Sequence, residues 1–274
     1  MLRFVPTAEG KTYWHDDADR YWRVMVFIPR AKTFEAVNPE YSYYAGKAFG
    51  HFEAMLVDLD EPLGETIPDF HNMELRMRQL RDAVAQDPVG RLAEVKDMVD
   101  ELETHAEEMC KAEQMGRDGV LPKRICHCDT KVNNMMFDED GRVLCVIDLD
   151  TVMPSFVFSD YGDFLRTGAN AVAEDDPAIE RVAFRRDIFE AFTRGYLESA
   201  TFLTSAERDN LPYLRGILSA RHRPCGLYET LPWGHRDNRQ PSLRSRWAGT
   251  PLPGRRAVPE HPRHEPRWWL SSLH

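Results

Sequence analysis

His127-Cys128-Asp129-Thr130-Lys131-Val132-Asn133-Asn134, followed by Ile147-Asp148-Leu149-Asp150, is the stretch on which the reading of the chain turns. Between its two halves, Met135-Met136-Phe137 and Arg142 to Ile147 have strand composition, and Asp138-Glu139-Asp140-Gly141 is turn chemistry, with Gly141 free to take positive φ. The hairpin folds back, so Asp129 and Asn134 at its start approach Asp148 at its end. Acids on an apolar strand are costly unless they are paired or bound to a cation. Oxygen ligands of this kind suit Mg²⁺, which keeps several waters and takes one or two carboxylates together with substrate phosphates. A plainer account stays open on these residues alone: Asp129 caps a turn, Asp148 ends a strand, and their proximity is incidental.

Charge is unevenly spread along the 274 residues. The formal net charge is -10, but residues 221–274 hold ten arginines and four acids, so residues 1–220 carry -16. An acidic body argues against nucleic acid as a partner, because binding that backbone needs a positive surface. No run is long and apolar enough to span a bilayer, and the amino terminus has no basic segment leading into an apolar one. Five cysteines, an odd number in a chain large enough not to need staples, suit a reducing cytoplasm. Cys126, His127, Cys128 and Asp129 could suggest zinc, yet adjacent residues rarely wrap one tetrahedral ion, and no second ligand pair follows. A covalent cysteine mechanism is disfavoured with it. Cys110 on a helix and Cys145 in a strand read as small buried thiols.

The order of elements is mixed β and then mostly α, which predicts an α+β protein with a helical larger lobe. Met1 to Pro6 and Tyr21 to Ile28 read as paired strands, the second buried, with charged His15-Asp16-Asp17-Ala18-Asp19 between them. Tyr44, Ala48, Phe52 and Met55 recur at helical spacing and predict a core-facing stripe. A second helix is expected from Asp69 to about Gln86. A third runs from about Gly90 to Gln114, with Leu92, Val95, Val99, Leu102, Ala106 and Met109 in its stripe and Gly116 stopping it. Further helices are expected at Ser159–Ala173, Pro177–Ser199 and Ser205 to about Ala220.

The literal pattern adds to this. HCDTKVNN (127–134), CVIDLDTVMP (145–154) and SDYGDFLR (159–166) resemble the aminoglycoside phosphotransferase and choline kinase superfamily, which has the protein-kinase-like fold. Tyr21-Trp22-Arg23-Val24, Ala48-Phe49-Gly50-His51-Phe52 and Thr66-Ile67-Pro68-Asp69-Phe70-His71-Asn72 are similar to its N-acetylhexosamine 1-kinase-like branch. The resemblance covers roughly residues 1–220. It implies a two-lobed α+β fold with an incomplete small lobe: residues 1–32 as the remnant of the nucleotide-binding lobe and hinge, and 33–220 as the large helical lobe carrying the catalytic hairpin. It also implies an ATP- and Mg²⁺-dependent transferase of carbohydrate metabolism, acting on a sugar hydroxyl such as that of an N-acetylhexosamine. Choline, an aminoglycoside or another small alcohol is the alternative acceptor, and an inactive pseudokinase or gene fragment with a binding role is the alternative function.

By that resemblance Asp129 accepts the proton of the acceptor hydroxyl, and Asn134 and Asp148 bind metal. Lys131 reaches phosphate or stays solvated, and His127 supports the loop. Asp150, two residues from Asp148 along a strand, shares its face and assists the cofactor or makes a structural hydrogen bond. Asp160 braces the catalytic loop, while Asp163 with Arg166 is structural or acceptor-side. His71 and Asn72 cap and pack a helix start, or stand near the sugar pocket.

Both ends depart from the family pattern. Lys11 lies ahead of the Tyr21 strand, but no glycine-rich phosphate loop does, which puts ATP binding in doubt. Residues 221–274 hold four of the six tryptophans and eight of the eighteen prolines, a composition that predicts a disordered or frame-disturbed basic tail. A continuous upstream frame encoding the loop would complete the nucleotide side. Reading the encoding DNA in all three frames is expected to reveal a family-like helical continuation after Ala220 in another frame. An uninterrupted original frame with no such continuation elsewhere overturns that expectation.

Overall fold

The amino-terminal hairpin is built around one carboxylate. Strands β1 (Trp14–His15) and β2 (Tyr21–Trp22) pair antiparallel, and Asp16 between them accepts from Ala18 N, Arg20 N, Arg20 Nε and Trp22 Nε1 at 2.7–3.0 Å. The ladder continues through Val5 N to Val24 O and Val26 N to Arg3 O, both 2.8 Å. The computed structural model describes residues 2–211 apart from 35–37, 89, 173–180 and 182. The expected tail from 221 and the end of the helix expected at 205–220 lie outside the described residues. The helix expected at 159–173 stops at Gly168, and the one expected at 177–199 is helical from Arg186, because Asn170 and Phe184 pair across an antiparallel bridge between them.

One expectation fails in this hairpin. Tyr21 to Ile28 reads as a buried strand, yet Tyr21, Val24 and Phe27 are 67%, 63% and 84% exposed. A two-stranded ribbon gains a buried face only when a second layer packs on it, and among the described residues none covers this one. A backbone bridge between Lys32 and Phe137 joins this small β-rich lobe to the larger one.

The larger lobe opens with α1 (Pro39–Ala54), whose cap, Asn38, accepts from Tyr41 N, with Pro39 in the first turn. Helices α2 (Met73–Gln86) and α3 (Leu92–Met109) follow, then α4 (Lys111–Arg117). The stripe of Val95, Val99, Leu102, Ala106 and Met109 is buried against Met77 and Leu80, as periodicity predicts. The single helix expected over 90–114 is instead two. Cys110 (φ -84°, ψ -1°) ends α3, with its N–H held by the Ala106 and Glu108 carbonyls. The bend brings Glu113 of α4 to Met73 N at 2.7 Å.

Next come β3 (Arg124–Cys126), β4 (Met135–Phe137), β5 (Val143–Val146) and β6 (Met153–Ser155). β4 and β5 form the expected hairpin, with Gly141 at φ +80°, and β3 pairs with β6. Helices α5 (Phe158–Gly168), α6 (Arg186–Ser199) and α7 (Ser205–Asn210) complete the described lobe. Arg124 of β3 holds Glu207 of α7 through two bonds of 3.0 and 3.1 Å, anchoring that helix.

The buried face of α1 is Ser42, Ala45, Gly46, Phe49, Gly50 and Glu53, not the predicted stripe of larger side chains; Tyr44 and Met55 are exposed. The reason is backbone contact. A Cβ on Gly46 would collide with the Phe192 carbonyl oxygen, and one on Gly195 with the Tyr43 carbonyl oxygen. Small residues on both helices let α1 and α6 touch main chain to main chain, and large ones would hold them apart. Phe164 of α5 stacks on Phe192 with ring centres 4.0 Å apart, which seats α5 on the same platform.

Gly46→Ala or Gly195→Ala is expected to lower unfolding free energy by about 2–3 kcal/mol in a urea titration. Gly64→Ala, where an added Cβ meets nothing within 4 Å, should leave the midpoint unchanged.

Candidate active site

The loop leaving β3 cannot be held by strand pairing, and two acids of α5 hold it instead. Asp160 Oδ2 accepts from His127 N and Oδ1 from Cys128 N, each at 2.6 Å. Thr130 N donates to Asp163 Oδ2 at 3.0 Å, and Thr130 Oγ1 donates to the Asp160 carbonyl at 2.6 Å. Asp163 Oδ1 also accepts from Arg166 Nε and Nη2 at 3.1 and 2.9 Å. Asp163 with Arg166 is therefore part of the loop's brace. Cys128 has φ +64°, which a side-chain-bearing residue adopts only at a cost, and the paired bonds to Asp160 keep it there.

His127 is fully buried and joins the loop to the hairpin. Its Nδ1 accepts from Asp129 N at 3.3 Å, which assigns the ring proton to Nε2, and Nε2 donates to Ile147 O at 2.8 Å. Phe49 and Phe52 of α1 meet the ring edge-on, each with centres 5.7 Å away. Thr151 Oγ1 donates to the His127 carbonyl at 2.7 Å, and Ile147 N donates to Asn134 O at 2.9 Å. These bonds bring the far end of the hairpin back onto its near end.

Asp129 and Asn134 are thereby brought together, and the Ile147 bond returns the backbone next to Asp148 to Asn134. Asn134 Nδ2 donates to the Asp129 carbonyl at 2.8 Å and to Asp129 Oδ2 at 3.0 Å. The amide oxygen is then the Asn134 atom able to ligate a cation. Asp148 is in the left-handed region (φ +61°, ψ +55°) and precedes a 3₁₀ turn at Leu149–Thr151. That turn overturns the strand-alternation argument for Asp150, since the backbone is no longer extended where the alternation is needed. Asp150 forms an ion pair with Arg23 of the small lobe. Lys131 Nζ lies 3.0 Å from Asp129 Oδ1. The side-chain oxygens of Asn134 and Asp148 are hard donors of the kind that suits Mg²⁺.

Behind the loop is a cleft of about 780 Å³, lined by Glu65, Asp69, Phe70, Glu113, Cys128 and Ser155 among others. His71 and Asn72 line it too. His71 stacks on Phe70 at 4.4 Å, and Asn72 caps α2 by accepting from Leu75 N. Burial pushes the thiols of Cys126 and Cys128 up, which disfavours the thiolate that nucleophilic or zinc chemistry would need. Thr130 and Arg23 stand inside quoted motifs but were given no role there, while Glu53 and Tyr196 lay in no motif at all. Glu53 carried one signal, an acid inside the apolar run Phe52 to Leu56.

A small β-rich lobe joined to a larger helical one, with a loop braced by buried carboxylates beside a short hairpin, is a kinase-like fold. Residues 4–200 match the phosphotransferase enzyme family (APH), and the chain belongs to that family of ATP-dependent small-molecule kinases. Its fold is similar to that of a choline kinase from Cryptosporidium parvum Iowa II, at 12% identity and a TM-score of 0.48 over 81% of this chain and 67% of that one. It is also similar to an aminoglycoside phosphotransferase from Alicyclobacillus acidocaldarius, at 15% identity and a TM-score of 0.47 over 84% and 77% of the two chains. A Plasmodium vivax ethanolamine kinase matches at 14% identity and a TM-score of 0.42, over 76% of this chain and 58% of that one. Among the described residues no helix is long and apolar enough to cross a membrane.

Asp160→Asn keeps the side chain's shape but turns an N–H₂ group toward one of the two backbone donors. Unfolding in urea is expected to show a loss of about 2–3 kcal/mol. A change within a few tenths of a kcal/mol would contradict the bracing role.

Proposed function

We propose that this chain transfers the γ-phosphoryl group of ATP to a hydroxyl of a small polar acceptor in the presence of Mg²⁺. The observation that supports the reading is that Asn134 is bonded through its amide to Asp129 and through its carbonyl to Ile147, the residue before Asp148. Asp129 orients the acceptor hydroxyl and takes its proton as the oxygen bonds to the γ-phosphorus. The bond from that phosphorus to the β,γ-bridging oxygen breaks, and ADP leaves. Asn134 and Asp148 would hold Mg²⁺, which supplies neutralisation of the phosphate charge. Lys131 shields Asp129 in the resting site and is placed to exchange that carboxylate for a phosphate oxygen. Asp150, paired with Arg23, ties the small lobe to this side of the site.

The acceptor is the finer question. An N-acetylhexosamine is one reading, carried by the branch resemblance of residues 21–24, 48–52 and 66–72. An amine-bearing alcohol, of the choline or aminoglycoside kind, has a physical argument in its favour: a net charge of -16 over residues 1–220 draws cations and leaves a neutral sugar unsteered. We favour the amine-bearing alcohol.

Calorimetry is expected to show Mg²⁺-dependent nucleotide binding that Asp148→Ala removes. ADP release should follow addition of choline or an aminoglycoside more than N-acetylhexosamine, and Asp129→Asn should lower kcat by about 10²–10⁴-fold with the fold retained. Absence of nucleotide binding defeats the catalytic reading, and turnover with the sugar alone reverses the acceptor preference.

A further inference from the structure

Beneath the catalytic loop lies a second carboxyl group that the mechanism above does not use. Glu53, in the last turn of α1, is 2% exposed, and Asp160 is 1% exposed. A carboxyl oxygen of each, with Cys126 Sγ, lie within 4.8 Å of one another. Glu53 Oε2 accepts from the Tyr196 hydroxyl at 2.5 Å. Its other oxygen, Oε1, is buried and meets no donor among the described residues.

An ionised carboxylate with one oxygen bare in the core would bear the full desolvation cost, and beside ionised Asp160 it would add like-charge repulsion. A carboxylic acid has neither problem, since its hydroxyl is itself a donor and Asp160 has lone pairs to spare after its two backbone bonds. We propose that Glu53 is a positioning residue for the catalytic loop: a neutral acid that donates to Asp160 and so orients the carboxylate that holds His127 and Cys128. The assignment of residues 127–134 as a catalytic loop rests on the function proposed above; the proton on Glu53 does not.

Tyr196 faces Glu53 from α6, Asp160 from α5, Cys126 and Arg124 from β3 and Glu207 from α7. The Tyr196 hydroxyl, as a donor, favours the carboxylate, and the carboxylates of Asp160 and Glu207 favour the acid. Burial, and after it the charge of Asp160, push Glu53 well above the usual carboxylate range. A carboxyl whose folded pKa is raised favours the native arrangement below its unfolded pKa, and that contribution is lost as pH rises through the folded value. The α1 and α6 backbones are locked together at Gly46 and Gly195, so Glu53 and Tyr196 arrive at Asp160 on a rigid support.

The experiment uses the full chain and needs no turnover. Infrared spectra of wild type minus Glu53→Gln should show the carbonyl stretch of a protonated carboxylic acid at neutral pH. Exchange of the His127 and Cys128 amides, followed by NMR, should be roughly tenfold faster in Glu53→Leu, as for one lost buried hydrogen bond, with Val99 and Leu102 in the distant helix pair unchanged. Glu53→Gln, neutral and still a donor, should restore protection. It should also abolish the loss of protection that wild type shows as pH rises, after correction for base-catalysed exchange. If Glu53→Leu does not fold, the infrared difference and the pH profile of Glu53→Gln decide alone. No acid band in the difference spectrum, or a pH profile in Glu53→Gln like that of wild type, overturns the proposal. Failure of nucleotide binding would leave these readouts untouched, so the two ideas fail separately.

Discussion

Two backbone N–H groups in succession, those of His127 and Cys128, end on the two oxygens of a single buried carboxylate, and the rest of the site depends on that contact. The loop between β3 and β4 has no ladder partner, so its polar backbone must be satisfied by side chains. Asp160 does this twice and Asp163 once more at Thr130. The left-handed turn at Cys128 follows, and with it the direction in which Asp129 projects. A carboxylate suits the task because it only accepts, and bonds from neutral N–H groups to a charged acceptor are stronger than those between neutral groups.

The carboxylate needs a support that does not yield. The main-chain contact of α1 with α6, made possible by glycine on both helices, together with the stacking of Phe164 on Phe192, supplies one. Interiors packed at this density transmit position well, since small displacements meet repulsion at once. The α2–α3 pair builds a separate core of its own, joined to the rest through α4 and the cleft. The site therefore stands on the α1–α5–α6 platform, with α4 and the segment from Glu65 to Asn72 among the walls of the space behind the loop.

Much of this was legible in residue order. Asp138 to Gly141 could be nothing but a turn, and the flanking strands had to fold back and bring Asp148 toward Asn134. The stripe of α3 was readable because aliphatic side chains at helical spacing have only one economical place to go. The stripe of α1 was misread for an equally physical reason: its buried face carries small residues, and a search for large apolar side chains passes over the face where backbones touch. Asp150 was misplaced because strand alternation was extended past Asp148, where the backbone turns left-handed. The second strand of the amino-terminal ribbon was expected inside because its residues are apolar, and composition does not say whether another layer covers them.

Sequence by itself marked the family, through the motifs of residues 127–166, and it marked the hairpin between Asn134 and Asp148, because a hairpin is local and follows from turn and strand preferences a few residues long. Tertiary structure alone decided how that loop is held and what surrounds it. Glu53 meets Asp160 from a distance of more than one hundred residues, Tyr196 meets Glu53 from farther still, and Arg23 meets Asp150 across the two lobes. Such partners are set by the packing of helices on one another, and no periodicity within a segment carries information about which segment will lie against it.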